Sequence, residues 1–396
     1  MSKLVEQILE KLIGFDTTSR NPNRACIDFI RDHLSVLGVD SEIIASEGGQ
    51  KACLWATVGE PTSTGVALCG HTDVVPVDGQ NWSTDPFKLT ERDGRLYGRG
   101  SADMKGFIAC ALAFIPEFLA ADSGGSFHLA LTSDEETDMS GAIRLTETLA
   151  SRGVRPEWLW IGEPTGLGIV DQHKGVAAFR TTITGVSGHS SQPGKGLNAI
   201  ELATGFMGII NDAAAQKKSA PHAPSRFDPP YTTFNLGKIS GGTAENIIAE
   251  QCEVLWQVRA HPGDVAADIV ADIAKRADLN FAERLRAFAP QADVQTCACF
   301  DIPPFLATAD NQGTKTLKRL LKCDDTQAVG FATEAGIFQQ LGAGAVICGP
   351  GFIEQAHQVD EYIDKTQLSA CVDLMRGVLL SSSARESALG KQVRAQ

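Results

Sequence analysis

Val66-Ala67-Leu68-Cys69-Gly70-His71-Thr72-Asp73 is an apolar run that stops on polar residues, the pattern of a buried strand with a loop at its carboxyl end. The pattern recurs along the chain. Leu129-Ala130-Leu131-Thr132 runs into Ser133-Asp134-Glu135-Glu136, and Trp158-Leu159-Trp160-Ile161 runs into Gly162-Glu163-Pro164. Ala345-Val346-Ile347-Cys348 runs into a Gly-Pro-Gly turn, with His357 shortly beyond. Gly100-Ser101-Ala102-Asp103 lies between the first two runs. In an open α/β sheet, ligands bind outside the carboxyl ends of the strands. These strand ends would deliver two histidines and several carboxylates to one rim, a donor mixture that suits divalent zinc or cobalt.

The 396 residues exceed the roughly 250–300 over which a single core grows, so two domains are expected. A net charge of −13 argues against binding nucleic acid or an anionic membrane surface. The opening Met1-Ser2-Lys3-Leu4-Val5-Glu6 lacks an apolar signal segment, and no window approaches the roughly 18 apolar residues of a membrane span. Ten cysteines follow no framework spacing, which fits reduced thiols in a cytoplasmic protein. Cys297-Ala298-Cys299 is a close pair, but nothing nearby completes a zinc site around it.

Leu4, Ile8, Leu12 and Phe15 recur at helical spacing and predict an amphipathic first helix; residues 25–37 predict a second, ended by Gly38. Strands and helices alternate to about residue 176, including a helix over 107–119 that Pro116 must bend or end. The order then changes to a strand (176–186), a helix (198–217), two strands (231–239 and 247–258), a helix (264–288) and a strand (294–300). This βαββαβ order is that of a ferredoxin-like α+β unit. The expected architecture is an α/β catalytic domain made of residues 1–176 and 304–396, interrupted by an inserted α+β domain over 177–303. From about 304 the α/β pattern resumes, with helices over 311–321 and 365–380 and a tail from Ser381 that is expected to fray. His357 lies far downstream, so residues 304–380 must return to the first sheet to complete the rim. Hinges near Val176 and Pro303 would let the inserted domain open and close over it.

Several residues are candidates for chemistry. His71 can bind a metal through one ring nitrogen while Asp73 fixes its tautomer; a loop histidine beside a solvated aspartate is the plain alternative. Gly98-Arg99-Gly100 begins like a dinucleotide loop, but Asp103 stands where the third glycine would be and would repel a pyrophosphate. The glycines instead suggest a tight backbone presenting Asp103 to positive charge, and its two oxygens could bridge two cations. Glu135 and Glu136 must project differently, so one can bind a cation while the other takes and returns a proton. A helix N-terminal cluster with Ser133 and Asp134 is the alternative there, and Glu163 could equally be an ordinary loop carboxylate.

Taken together, GHTDVVP (70–76), GRGSADMKG (98–106), SDEETD (133–138), GEPT (162–165) and QAHQVDEY (355–362) resemble the M20 family of metallo-aminoacylases and metallopeptidases, in the family's order and over nearly the whole chain. The resemblance implies an α/β metallohydrolase with a dinuclear zinc site, cobalt being an accepted substitute. His71 and Glu163 would hold one ion, Glu136 and His357 the other, and Asp103 would bridge them. Glu135 would be the general acid/base, Asp73 the partner of His71, and Asp103-Met104 a cis peptide. The inserted domain would be a lid or dimerisation domain, which makes a homodimer the expected assembly.

Gly188-His189-Ser190-Ser191-Gln192-Pro193 matches the family's histidine motif. His189 would stabilise the oxyanion from the same chain or from a second subunit; a helix-capping loop histidine is the alternative. Segments 241–246 and 258–262 resemble substrate-binding stretches, with Arg259 anchoring a free α-carboxylate and Asn246 helping; a structural ion pair remains open for Arg259. Gln172-His173-Lys174-Gly175 and Phe331-Ala332-Thr333-Glu334-Ala335-Gly336 lean towards the acetylornithine deacetylases, although Ala332 departs from their Cys-Thr pattern. That reading implies hydrolysis of N2-acetyl-L-ornithine to L-ornithine and acetate, a step of arginine biosynthesis, with Glu334 pairing with the substrate's δ-ammonium. Desuccinylation of succinyl-diaminopimelate, hydrolysis of another N-acyl amino acid or dipeptide, and non-catalytic amino-acid binding are the alternatives. An intact Glu135 counts against the last.

Overall fold

A computed structural model describes residues 2–61, 64–121 and 124–380. The chain divides into two units, one comprising residues up to Asp171, Ala307–Gln327 and those from Thr333 onward, the other Gln172–Leu306 and Ala328–Ala332.

The first unit is built on a mixed sheet. Ser126–Thr132, Val66–His71, Trp158–Ile161 and Gly344–Ile347 are consecutive, mutually parallel neighbours in it. Val66–His71 and Trp158–Ile161 are buried at every residue. This explains their unbroken apolar sequences, since a parallel strand covered on both faces has no polar side to show. Ala52–Gly59 and Ser41–Ala45 extend the sheet antiparallel beyond Ser126–Thr132. With four parallel strands side by side, their carboxyl ends share one edge, and the loops that follow them meet there. The contact is close. A Cβ on Gly349 would lie 2.1 Å from the Gly162 carbonyl oxygen, and Leu167 donates its N–H to the Gly349 carbonyl at 2.8 Å.

Helices Ser2–Ile13, Lys105–Ala120 and Lys365–Leu379 pack in one apolar core with this sheet. The Lys105 ammonium, fully buried, donates to the Leu12 and Phe15 carbonyls at 3.0 Å each, satisfying acceptors at the end of the first helix. Pro116 does not end the Lys105–Ala120 helix. It removes the one N–H that would have met the Leu112 carbonyl.

The second unit follows the order Gly175–Thr184, Ala199–Ser219, Thr233–Gly241, Gln251–Ala260, Ala266–Ala287, Asp293–Ile302, a βαββαβ arrangement. Its four strands form an antiparallel sheet with Gln251–Ala260 and Gly175–Thr184 in the middle. Gln251–Ala260 alternates buried and partly buried residues, as a strand with one face on a core should. Phe179, Phe206, Trp256 and Phe281 fill that core. The strand predicted from residue 247 begins later, at Gln251, because Ile247 forms an isolated bridge with His189 instead. Among the described residues, no helix is long and apolar enough to cross a membrane. The tail expected to fray from Ser381 lies outside the described residues.

Gly162 tests the tightness of the rim. A Cβ there would fall 2.1 Å from the Phe107 ring, which is itself packed against Trp160 with centroids 6.0 Å apart. Gly162→Ala is expected to cost about 1–3 kcal/mol in urea unfolding, whereas Gly194→Ala, which meets nothing within 4 Å, should leave the midpoint nearly unchanged.

Candidate metal centre

His71 closes the Val66–His71 strand and is wholly buried. Its Nδ1 lies 3.0 Å from the Asp73 carbonyl oxygen and 3.6 Å from Asp73 Oδ1, and its Nε2 lies 3.0 Å from Asp103 Oδ1. Asp73 therefore meets His71 mainly through its main chain. Its carboxylate has another task, accepting the N–H groups of Glu135 at 3.1 Å and Glu136 at 3.3 Å and the Ser19 hydroxyl at 2.7 Å.

Asp103 follows a tight loop in which Gly100 adopts φ +84°, and the Asp103-Met104 peptide is cis. The carboxylate is 6% exposed. Its Oδ1 faces His71, while Oδ2 lies 3.4 Å from His357 Nε2. Glu136 approaches the same nitrogen at 3.0 Å. Atoms able to bind a metal on His71, Asp103 and Glu163 lie within 4.8 Å of one another, and so do those on Asp103, Glu136 and His357. Two triads thus share Asp103. Glu135 groups with His71 and Glu136 in a third cluster.

The electrostatics suit cations. Burial, then the charge of Asp103, pushes Glu163 well above the usual carboxylate range; burial, then Glu163, does the same for Glu135. Burial and Asp103 also raise Glu136. Against the upward push of burial, hydrogen bonds to His357 and His71 hold Asp103 low. The same contacts, with Asp103 first and Glu136 second, push His357 up to about 10. Buried carboxylates gathered in this way demand positive charge. Glu163 Oε1 is among the buried atoms that have no hydrogen-bond partner among the described residues. A donor set of two imidazoles and several carboxylates, with a shared aspartate and an orphaned oxygen, fits two divalent cations.

Glu361 has a part in this site that its sequence does not announce. Its carboxylate is 1% exposed and accepts from Arg99 at 2.8 Å and from the N–H groups of Gly100, Ala102 and Asp103 at 2.9, 2.9 and 3.1 Å. Four residues from His357, it ties the loop carrying that imidazole to the loop carrying Asp103. The available signal was the glycine-rich loop itself, since several N–H groups turned the same way form a nest that wants an anion.

Of the remaining candidates, Glu334 lies near His71 and Asp73, and three belong to the other unit. Glu334 precedes the short helix Ala335–Phe338 and is 1% exposed beside Thr132, and burial pushes its carboxyl up to about 7. Its Oε1 has no hydrogen-bond partner among the described residues. His189, Asn246 and Arg259 belong to the second unit. There His189 is exposed, with Nδ1 2.8 Å from the Ser191 hydroxyl, and Ser190 donates its N–H to the Asn246 carbonyl at 3.0 Å. Arg259 is half-buried on the Gln251–Ala260 strand.

Residues 67–381 match the sequence profile of Peptidase family M20/M25/M40. The chain belongs to this family. It is 39% identical over 352 residues to an acetylornithine deacetylase of Pasteurella multocida (strain Pm70), covering 86% of each chain. It is 36% identical over 368 residues to an acetylornithine deacetylase of Proteus mirabilis (strain HI4320), covering 91% of this chain and 90% of the relative. The fold of this M20 hydrolase matches a tripeptidase from Staphylococcus aureus with TM-score 0.73 at 20% identity, over 96% of this chain and 98% of the other. It also matches a dinuclear metal binding peptidase of the M20 family from Bacillus subtilis with TM-score 0.65 at 14% identity, over 96% and 97%.

Glu334 gives this M20 chain a testable pH signature. A carboxyl whose folded pKa is raised binds its proton more tightly when native, so stability is lost as pH climbs from about 4.5 through about 7. In chelator-treated protein, Glu334→Gln should be more stable than the parent at pH 8 by on the order of 3 kcal/mol, with the gap closing near pH 4.5. Urea unfolding at both pH values measures it, and a gap independent of pH would contradict the burial of an ionisable carboxyl there.

Proposed function

We propose that this M20 hydrolase removes the acetyl group from N2-acetyl-L-ornithine, releasing L-ornithine and acetate, with two zinc ions as cofactors and cobalt as an accepted substitute. The observation that carries the chemistry is Asp103, whose two oxygens face separate imidazoles. His71 and Glu163 would hold one cation and Glu136 and His357 the other. When bound, such cations polarise an amide carbonyl and acidify water. Glu135 would take the proton of the attacking water and return it to the departing amine, a task suited to a carboxyl whose proton affinity burial and Glu163 raise. Asp73 would hold Glu135 and Glu136 by their N–H groups and His71 by its carbonyl.

His189 would donate a hydrogen bond to the developing oxyanion, and Arg259 with Asn246 would receive the substrate's α-carboxylate. Glu334, whose Oε1 has no hydrogen-bond partner among the described residues, would pair with the substrate's δ-ammonium. What supports the substrate is the pair of relatives at 36–39% identity that carry the acetylornithine deacetylase name. That activity would place the enzyme in arginine biosynthesis, in the cytoplasm. A homodimer through the inserted unit is favoured by its Thr233–Gly241 edge strand, where Ile239 is exposed, as are Ile200 and Ile247 in the same unit.

Amine release from N2-acetyl-L-ornithine and from N-succinyl-diaminopimelate, measured side by side with zinc-loaded protein, tests the proposal. Turnover of the acetyl substrate, abolished by chelator and restored by zinc, is the expected result; preference for the succinyl substrate would overturn the specificity. Glu135→Gln should lower kcat by roughly 10²–10⁴-fold while still binding two zinc ions. Full activity in that variant would remove Glu135 from the mechanism.

A further inference from the structure

Lys51 stands immediately before the Ala52–Gly59 strand, with its side chain 17% exposed. Its ammonium donates to the main-chain carbonyl of Ser19 and to Asp134 Oδ1, the latter at 2.5 Å. Both acceptors adjoin the metal centre. The Ser19 hydroxyl donates to Asp73 Oδ2 at 2.7 Å, and the Asp73 carboxylate in turn accepts the N–H groups of Glu135 and Glu136. Asp134 is the residue before Glu135, and it adopts φ +66°. That left-handed conformation is uncommon for a residue with a Cβ, although aspartate tolerates it better than most. It reverses the chain after Thr132, and the turn is closed by the Met139 N–H on the Asp134 carbonyl at 2.7 Å. The direction in which Glu135 and Glu136 leave the turn therefore depends on Asp134 keeping this conformation.

We infer that Lys51 is a positioning residue, clamping the Asp134 turn to the Ser19 segment and so aiming the carboxylates of Glu135 and Glu136 at the cluster of His71 and Asp103. The roles of Glu135 and Glu136 rest on the proposed function; the clamp rests on the contacts alone. Asp73, itself held by the Ser19 hydroxyl, accepts the main-chain N–H groups of the two glutamates on one side, and Lys51 with Asp134 holds the turn from the other. An ion pair serving stability alone would show only in unfolding. A clamp must also show in how tightly the glutamates receive a cation.

The test is zinc titration by calorimetry of chelator-treated, full-length protein, followed by kinetics with N2-acetyl-L-ornithine. Lys51→Met is expected to bind its weaker zinc at least about tenfold less tightly, in the range found when partners of metal ligands are removed. Its kcat should fall by a similar factor at nearly constant KM, and Lys51→Arg should recover most of both. Asp134→Asn, which keeps a side chain tolerant of the left-handed turn but removes the charge that Lys51 meets, carries the same expectation should Lys51→Met not fold. A Lys51→Met or Asp134→Asn protein with lowered thermal stability but a parental zinc isotherm would overturn the inference. The isotherm needs no substrate, so parent protein that binds two zinc ions without hydrolysing acetylornithine would refute the proposed substrate while Lys51 is still judged from the variants.

Discussion

Carboxylates drawn together away from water repel one another, and a fold that buries them must supply positive charge or protonate them. Asp103, Glu135, Glu136 and Glu163 meet this constraint at one end of a parallel sheet, with His71 and His357 as the neighbouring bases. Burial drives three of the four towards protonation, while the imidazoles keep Asp103 ionised. Glu361 collects four donors to hold the Asp103 loop, and Asp73 gives up its carboxylate to the two glutamate N–H groups. Gly162 and Gly349 let the remaining loops come together backbone against backbone. These features serve one end, fixing negative charge where cations neutralise it.

Much of this was legible in the sequence because it is local. An apolar run that ends on His71, Glu135 or Glu163 announces both the strand and the side of the sheet its polar residue will face. The βαββαβ order of the second unit could be read from the alternation of strand and helix spacings. The division of ligands into two sets sharing Asp103 came from the family resemblance and not from spacing, since nothing local to His71 indicates that Glu163 is its companion.

What stayed hidden depends on contacts between distant residues. Glu361 and the Gly100–Asp103 loop are more than 250 residues apart, and the pairing of a carboxylate with a nest of N–H groups has no sequence period. Lys51 reads as a charged turn residue until the fold brings Asp134 to it. Pro116 was expected to bend or end its helix, and the helix runs on through it to Ala120 because a proline costs the ladder a single N–H. Glu334 could be singled out from its motif, but its burial beside Thr132 depends on the packing of the Ala335–Phe338 turn.

The most direct test of the central claim is anomalous diffraction at the zinc edge from crystals of the zinc-loaded protein. Two peaks on opposite sides of Asp103 are expected, one contacted by His71 and Glu163 and the other by Glu136 and His357. A single peak, or peaks that leave Asp103 out, would contradict a shared aspartate and with it the whole charge balance of the site.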